Sequence, residues 1–209
     1  MSEPNLPRAQ LPWRRPEVPG AFGIEAMARR VGAYVWVERR LFEVLGAWTP
    51  VVPELDVKLR LAVHSAHHAE RADRFYARLP ELRELPADDV CVPTTAAVAS
   101  LVDAVAAADD PSATIEKLVG VYRVLLPHLI AVYSFHLANT ATVADEPLAR
   151  TLRHVITDAA DDWRDGELLI QARIADAVAV DRAAAHQAEL QRLLVVAGGI
   201  CGPGTFGDA

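Results

Sequence analysis

"AVHSAHHAERADRF", residues 62–75, places three of the chain's seven histidines within five positions, followed at once by Glu70 and Asp73. The surrounding apolar period is helical, and a helix advances about 100° per residue. On that wheel Arg60, Arg71, Arg74 and Arg78 mark the solvent side, and His67 lies among them. His64 and His68 share one flank, four apart, between core and solvent, while Asp73 points deeper inward and Glu70 sits on the opposite flank. The cluster therefore splits into one outward histidine and one i, i+4 pair that can converge on a site.

Working outward, the helical period continues almost throughout, and no segment shows convincing strand alternation. Helix A covers about residues 21–48, with a stripe of Ile24, Met27, Val31, Val35, Leu41, Phe42 and Leu45, and Pro50 and Pro53 end it. The histidine-bearing helix B starts near Glu54 and stops before Pro80. A short helix at about 94–108 forms the crossover, helix C runs from Pro111 to about Asn139, and helix D runs from about Asp145 toward Val178. A last helix covers about 181–196. Residues 1–20, rich in proline, read as an extended arm, residues 21–197 as one helical domain, and the glycine-rich 198–209 as a flexible tail. The expected fold is all-α: two long antiparallel hairpins joined by a long crossover, which describes a ferritin-like four-helix bundle, plus a C-terminal helix.

The stretches "HSAHHAERADRFYARLPEL" (64–82) and "LVGVYRVLLP…DDWRDGE" (118–127 and 161–167) resemble a group of bacterial ferritin-like proteins of unassigned function. The likeness in layout spans residues 21–178 and implies the bundle fold. The ferritin-like di-iron pattern asks for Glu on A, Glu-x2-His on B, Glu on C and Glu-x2-His on D. This chain departs from it. Helix B offers only Glu70-x2-Asp73, helix C has Tyr122 or Leu126 where a glutamate belongs, and helix D has Asp158-x2-Asp161 with no histidine in the motif.

Glu38 lies on the apolar stripe of helix A, where a carboxylate costs several kcal/mol unless it is paired, ligated or protonated. Tyr122, Tyr133 and His136 fall on the stripe of helix C, and His128 is turned away. Helix D carries His154, Asp158, Asp161 and Asp165 on one ridge, with Asp162 turned further inward. Glu38 and the His64/His68 pair each lie about 13 residues, roughly 20 Å, from the A–B turn. With the C–D turn at the opposite end, His154 and Asp158 also approach the middle, so all five can meet.

Two chemistries suit that constellation. A metal-independent site uses Glu38 as base, His64 and His68 as proton partners and anion clamp, and Asp158 or Asp162 as orienter, for elimination, cyclisation or isomerisation of a small molecule. Tyr122, Tyr133, His136, Asp73 and Trp163 then line the substrate, with Trp36 and Trp48 as further walls. This redox-free chemistry is similar to that of some enzymes of bacterial natural-product assembly. The alternative is an oxidase or oxygenase with iron or another transition metal on Glu38, His64, His68, His154 and Asp158. No metal is the favoured expectation, and a non-catalytic partner or ligand-binding helical protein is the third class.

Bulk properties narrow the partners. The 209 residues are 52% hydrophobic and carry a formal charge of −7, with basic residues scattered, which argues against nucleic acid. Cys91 and Cys201 lack metal or disulfide spacing, which points to a reducing cytoplasm. The apolar stretch 118–135 is broken by Arg123, Pro127 and His128, so no membrane span is expected. A homodimer or a complex with another biosynthetic protein is the expected assembly.

Overall fold

The computed structural model describes residues 22–141 and 145–206, and these contain helices and turns with no strand. The expected arm at 1–20 lies outside the described residues. Seven helices follow in order: α1 (Ile24–Trp48), α2 (Leu55–Tyr76), α3 (Ala87–Val90), α4 (Ala96–Ala106), α5 (Thr114–Ala138), α6 (Glu146–Gln171) and α7 (Ala177–Ala197). Local chemistry sets several of their ends. Thr95 accepts from the Val98 amide at 3.2 Å to start α4, and Asp176 accepts from the Ala179 amide at 2.8 Å to start α7. Helix α6 stops at Gln171 rather than continuing toward Val178, and α7 starts separately at this second cap.

Paired contacts give the helix directions. Ser65 bonds the carbonyl of Phe42 and His68 meets Glu38, so α2 runs antiparallel to α1. Arg60 pairs with Asp165 and Arg71 with Asp158, so α6 runs antiparallel to α2. Tyr34 meets His136 and Glu38 meets Tyr133, so α5 runs antiparallel to α1 and parallel to α2. A parallel neighbour cannot be reached by a tight turn; the crossover of α3 and α4 between residues 77 and 113 makes the connection. Leu41, Leu61, Leu101, Leu118, Leu125, Leu129 and Leu152 fill the interior from all sides, and α7 packs on α4 and α5.

Helix α5 contains a wide turn at Gly120–Leu125, where the Leu126 amide bonds the Val121 carbonyl five residues back. Pro127 follows, and a proline ring collides with the carbonyl four residues before it in a regular helix; the wide turn accommodates it. In an unbroken helix Tyr122 and Tyr133 would project within about 20° of each other. Tyr122, within the wide turn, bonds His64 of α2, while Tyr133, about three turns further on, bonds Glu38 of α1. By length and composition Thr114–Ala138 is long and apolar enough to cross a membrane, but 61% of that window is buried by the rest of the chain.

The expected loose tail is not loose over residues 198–206. Gly198 ends α7 in the left-handed conformation (φ 71°), and Ile200 and Thr205 are buried. The Thr205 hydroxyl lies 2.7 Å from the Gly198 carbonyl, Arg30 donates to the Thr205 carbonyl at 2.7 Å, and the Ile200 amide donates to His128 at 3.0 Å. Glycine composition signals turns, and here the turns fold back onto the bundle.

Candidate functional site

On α2 the buried side chains Val57, Leu61, His64, His68, Arg71 and Phe75 are spaced 4-3-4-3-4, the repeat of an interior seam. On α6 Leu148, Leu152, Val155, Ala159, Asp162 and Gly166 have the same spacing. The two seams face each other with ionisable residues at matching heights, and Glu38 of α1 and the tyrosines of α5 close the other sides.

Glu38 is the centre of one half. It is 0% exposed, its Oε2 lies 2.5 Å from His68 Nδ1, and the Tyr133 hydroxyl donates to its Oε1 at 2.6 Å. Burial alone would raise this carboxyl, but the charges of His68 and Arg71 and the bonds from His68 and Tyr133 outweigh it and hold it below the ordinary carboxylate range. Burial pushes the Tyr133 hydroxyl far up, so it stays a donor.

Asp162 is the centre of the other half. It is clamped by Arg71 Nη2 and accepts from His67 Nδ1 at 2.8 Å. Burial raises its carboxyl, against the pull of Arg71 and His67. Arg71 is 1% exposed; its Nε lies 3.3 Å from Asp158 and 3.9 Å from Glu38, so the guanidinium joins the halves. His64 Nδ1 meets the Tyr122 hydroxyl at 2.7 Å. Its Nε2 comes within 3.2 Å of Asp162 but off the hydrogen-bond line, so that contact is electrostatic only. Burial, with the positive charges of Arg60 and Arg71 nearby, pushes His64 down to about 3, which keeps the ring neutral.

With Glu38 and Asp162 as carboxylates and Arg71 as the fixed cation, this interior is one positive charge short. Glu38 and His68 stand 2.5 Å apart at its centre. Three buried polar atoms of the cluster, His64 Nε2, His68 Nε2 and Arg71 Nη1, have no hydrogen-bond partner among the described residues. Such orphans are rare in packed interiors, and three of the six among the described residues fall in this cluster.

The cluster reaches the surface between α2 and α6. A pocket of about 140 Å³ is lined by Glu70, Arg71, Arg74, His154, Val155 and Asp158. A second, of about 820 Å³, continues from Arg74 and His154 along Arg78, Arg150 and the start of α6. His67, with a side chain one-third exposed, stands beside Asp158 at the inner end.

Several expectations about single residues need correction. Glu38, His64, His68, Tyr122, Tyr133 and Asp162 are brought together as one buried cluster. Asp158 borders it at the groove, half-exposed and held by Arg71. His154 is exposed in the groove and does not join Glu38, His64 and His68. His136 is buried but bonds Tyr34 at 3.1 Å, in a separate pocket beyond the Tyr133 ring. Asp73 is exposed and lines the outer groove beside Arg74 and Arg78 rather than the buried cluster, and Trp163 is 39% exposed one position past Asp162. Of the other tryptophans, Trp48 lines a different cleft, between α1 and α4. Arg71 and His67, read as solvent-facing, are instead site residues. Arg71 sits seven residues after His64 on the seam, a signal that its charge overrode.

The donor set does not fit a dinuclear iron centre. Helix α5 supplies phenols in place of a carboxylate, and an arginine already stands between the two buried acids. Among the described residues only His67, Asp158 and Asp162 bring possible ligand atoms within 4.8 Å of one another, and Arg71 contacts both of those aspartates. Comparison of the chain with protein-family models, curated proteins and solved structures finds no match.

Proposed function

We propose that this chain is a small-molecule enzyme that uses metal-independent acid/base chemistry, on a bundle of ferritin-like ancestry. The course of the four long helices, with α5 parallel to α2 across a crossover, supports the ancestry. One observation carries the activity: a fully buried carboxylate, Glu38, is bonded to His68 and linked through Arg71 to an Asp162–His67 pair at a groove. Asp162 fixes the Nδ1 proton of His67 and leaves Nε2 free to accept a proton from a substrate beside Asp158. Arg71 stabilises negative charge that develops there, and Glu38 with His68 holds a balancing proton behind it. In elimination the pair left by the proton forms the new π bond and the leaving group departs with its own bonding pair. In cyclisation that pair forms the ring bond as the leaving group departs; in isomerisation His67 returns the proton at another atom.

The test is turnover of a small-molecule extract by the full-length protein with a chelator present, followed by mass spectrometry. Products formed by the wild type and lost in both Glu38→Gln and His67→Gln support the reading. Turnover unaffected by either substitution, or abolished by the chelator and restored by iron, overturns it.

The convergence of His67, Asp158 and Asp162 favours a second reading, in which these three hold a divalent metal after Arg71 swings aside. Stoichiometric metal in the purified protein, lost in His67→Gln, supports that reading over the first.

A further inference from the structure

We infer that the outer groove between α2 and α6 is an anion clamp: Arg78 and Arg150 hold a carboxylate or phosphate group at one end of the substrate. This names the substrate class for the site proposed above and rests on that reading only for what happens at the inner end.

The charges of the groove are sorted along its length. Arg71 and Arg74 lie on α2 and Arg78 in the turn just past its end, and Arg150, His154 and Asp158 occupy successive turns of α6. At the inner end the acid Asp158 is neutralised by Arg71. In the outer pocket Glu146 is turned to Arg153, 2.5 Å away, and Arg74 has only a loose 3.9 Å contact with Glu70. Arg78 and Arg150 both line this pocket, and neither makes an ion pair among the described residues; the one unpaired acid beside them is Asp73. On a chain of net charge −7, two unpaired guanidiniums facing one cleft are a local reversal of field. Guanidinium suits carboxylate and phosphate oxygens through its forked donors. The first turn of α6, which includes Pro147 of the same lining, adds the positive end of a 26-residue helix.

The spacing sets the ligand's length. Arg150 and Asp158 are eight residues apart on α6, about 12 Å along the helix. A molecule with its anionic group between Arg78 and Arg150 thus reaches about 12 Å to place atoms beside Arg71 and Asp158. The outer volume of about 820 Å³ holds a metabolite of that size.

The experiment is calorimetric titration of the full-length protein at low salt with inorganic phosphate and, separately, with glutarate. Arg78→Ala/Arg150→Ala and, as a control outside the groove, Arg192→Ala are titrated alongside. Both groove arginines are exposed, so the double variant keeps its fold, checked by an unchanged melting temperature. The expected result is saturable binding of at least one anion, weakened about tenfold or more in the double variant and unchanged in the control. Binding of phosphate alone assigns a phosphorylated substrate, and binding of glutarate alone a carboxylate. No binding of either anion, or equal binding by wild type and double variant, overturns the clamp. Because the readout is binding, it is separate from the turnover test: a clamp with no Glu38-dependent turnover leaves the anion site standing and removes the acid/base reading.

Discussion

Gly166 of α6 lies against the face of Tyr122: a β-carbon at 166 would stand 2.1 Å from the ring's Cγ. Only a residue without a side chain lets α6 come close enough for Tyr122 to reach His64 and for Asp162, one turn earlier, to reach Arg71.

Gly166→Ala therefore forces the Tyr122 ring or the helix to move. Overpacking of this kind costs about 1–3 kcal/mol. Urea unfolding should show that loss, and the loss should shrink in Gly166→Ala/Tyr122→Leu, where the obstructing ring is gone. An equal loss in both backgrounds would show that the ring is not the obstacle.

Glu38→Gln keeps the shape of the side chain but removes the charge that Arg71 and His68 face. Breaking a buried ion pair by changing one partner costs about 3–5 kcal/mol. Chemical denaturation at neutral pH measures it. A change below about 1 kcal/mol would mean that Glu38 is already protonated in the folded protein.

Acid should destabilise the fold well before carboxylates titrate. Burial pushes His64 and His136 down to about 3 and His128 to about 4, from an ordinary 6.5. Each ring stays neutral when folded but takes a proton when unfolded. Their contribution is complete above about pH 6.5 and is lost as the pH falls toward 4 and below, at up to about 1.4 kcal/mol per pH unit for each. Glu38, held low, adds a loss below its ordinary range, whereas Asp162, held high, acts in the opposite sense. Urea midpoints at pH 7, 6 and 5 should fall steadily, and His128→Asn should reduce the slope by one histidine's share. A flat profile would contradict burial of the neutral rings.

Ile200 is fully buried beyond the end of α7. Ile200→Ala should cost about 2–5 kcal/mol, as for a core position. Thermal melts give the value, and hydrogen exchange at the Ile200 amide, bonded to His128, reports whether the segment has come away. An effect near zero would return 198–206 to the loose tail that its glycines suggest.

Much of the frame was legible because helix formation is local. Apolar spacing along the chain placed α1, α2, α4 and α5 within a few residues of their bounds, and α6 at its start, though it carried α6 past its end at Gln171 toward Val178. It also set Glu38 on an inward-facing position and His64 and His68 on a flank between core and solvent, where the bundle buries both fully. The wide turn in α5 carries a local mark too, Pro127, but which neighbour Tyr122 and Tyr133 each reach depends on the bundle around them.

Periodicity along single helices was enough to determine an all-helical chain with an acid and imidazoles inside, since each helix buries one stripe whatever its partners are. Arg71 and His67 show the limit. An arginine looks solvent-facing until Asp162, 91 residues away, supplies the counter-charge that makes its burial tolerable. Only the packing of α6 on α2 brings the two together, because the energy of a buried charge is set by what surrounds it in space.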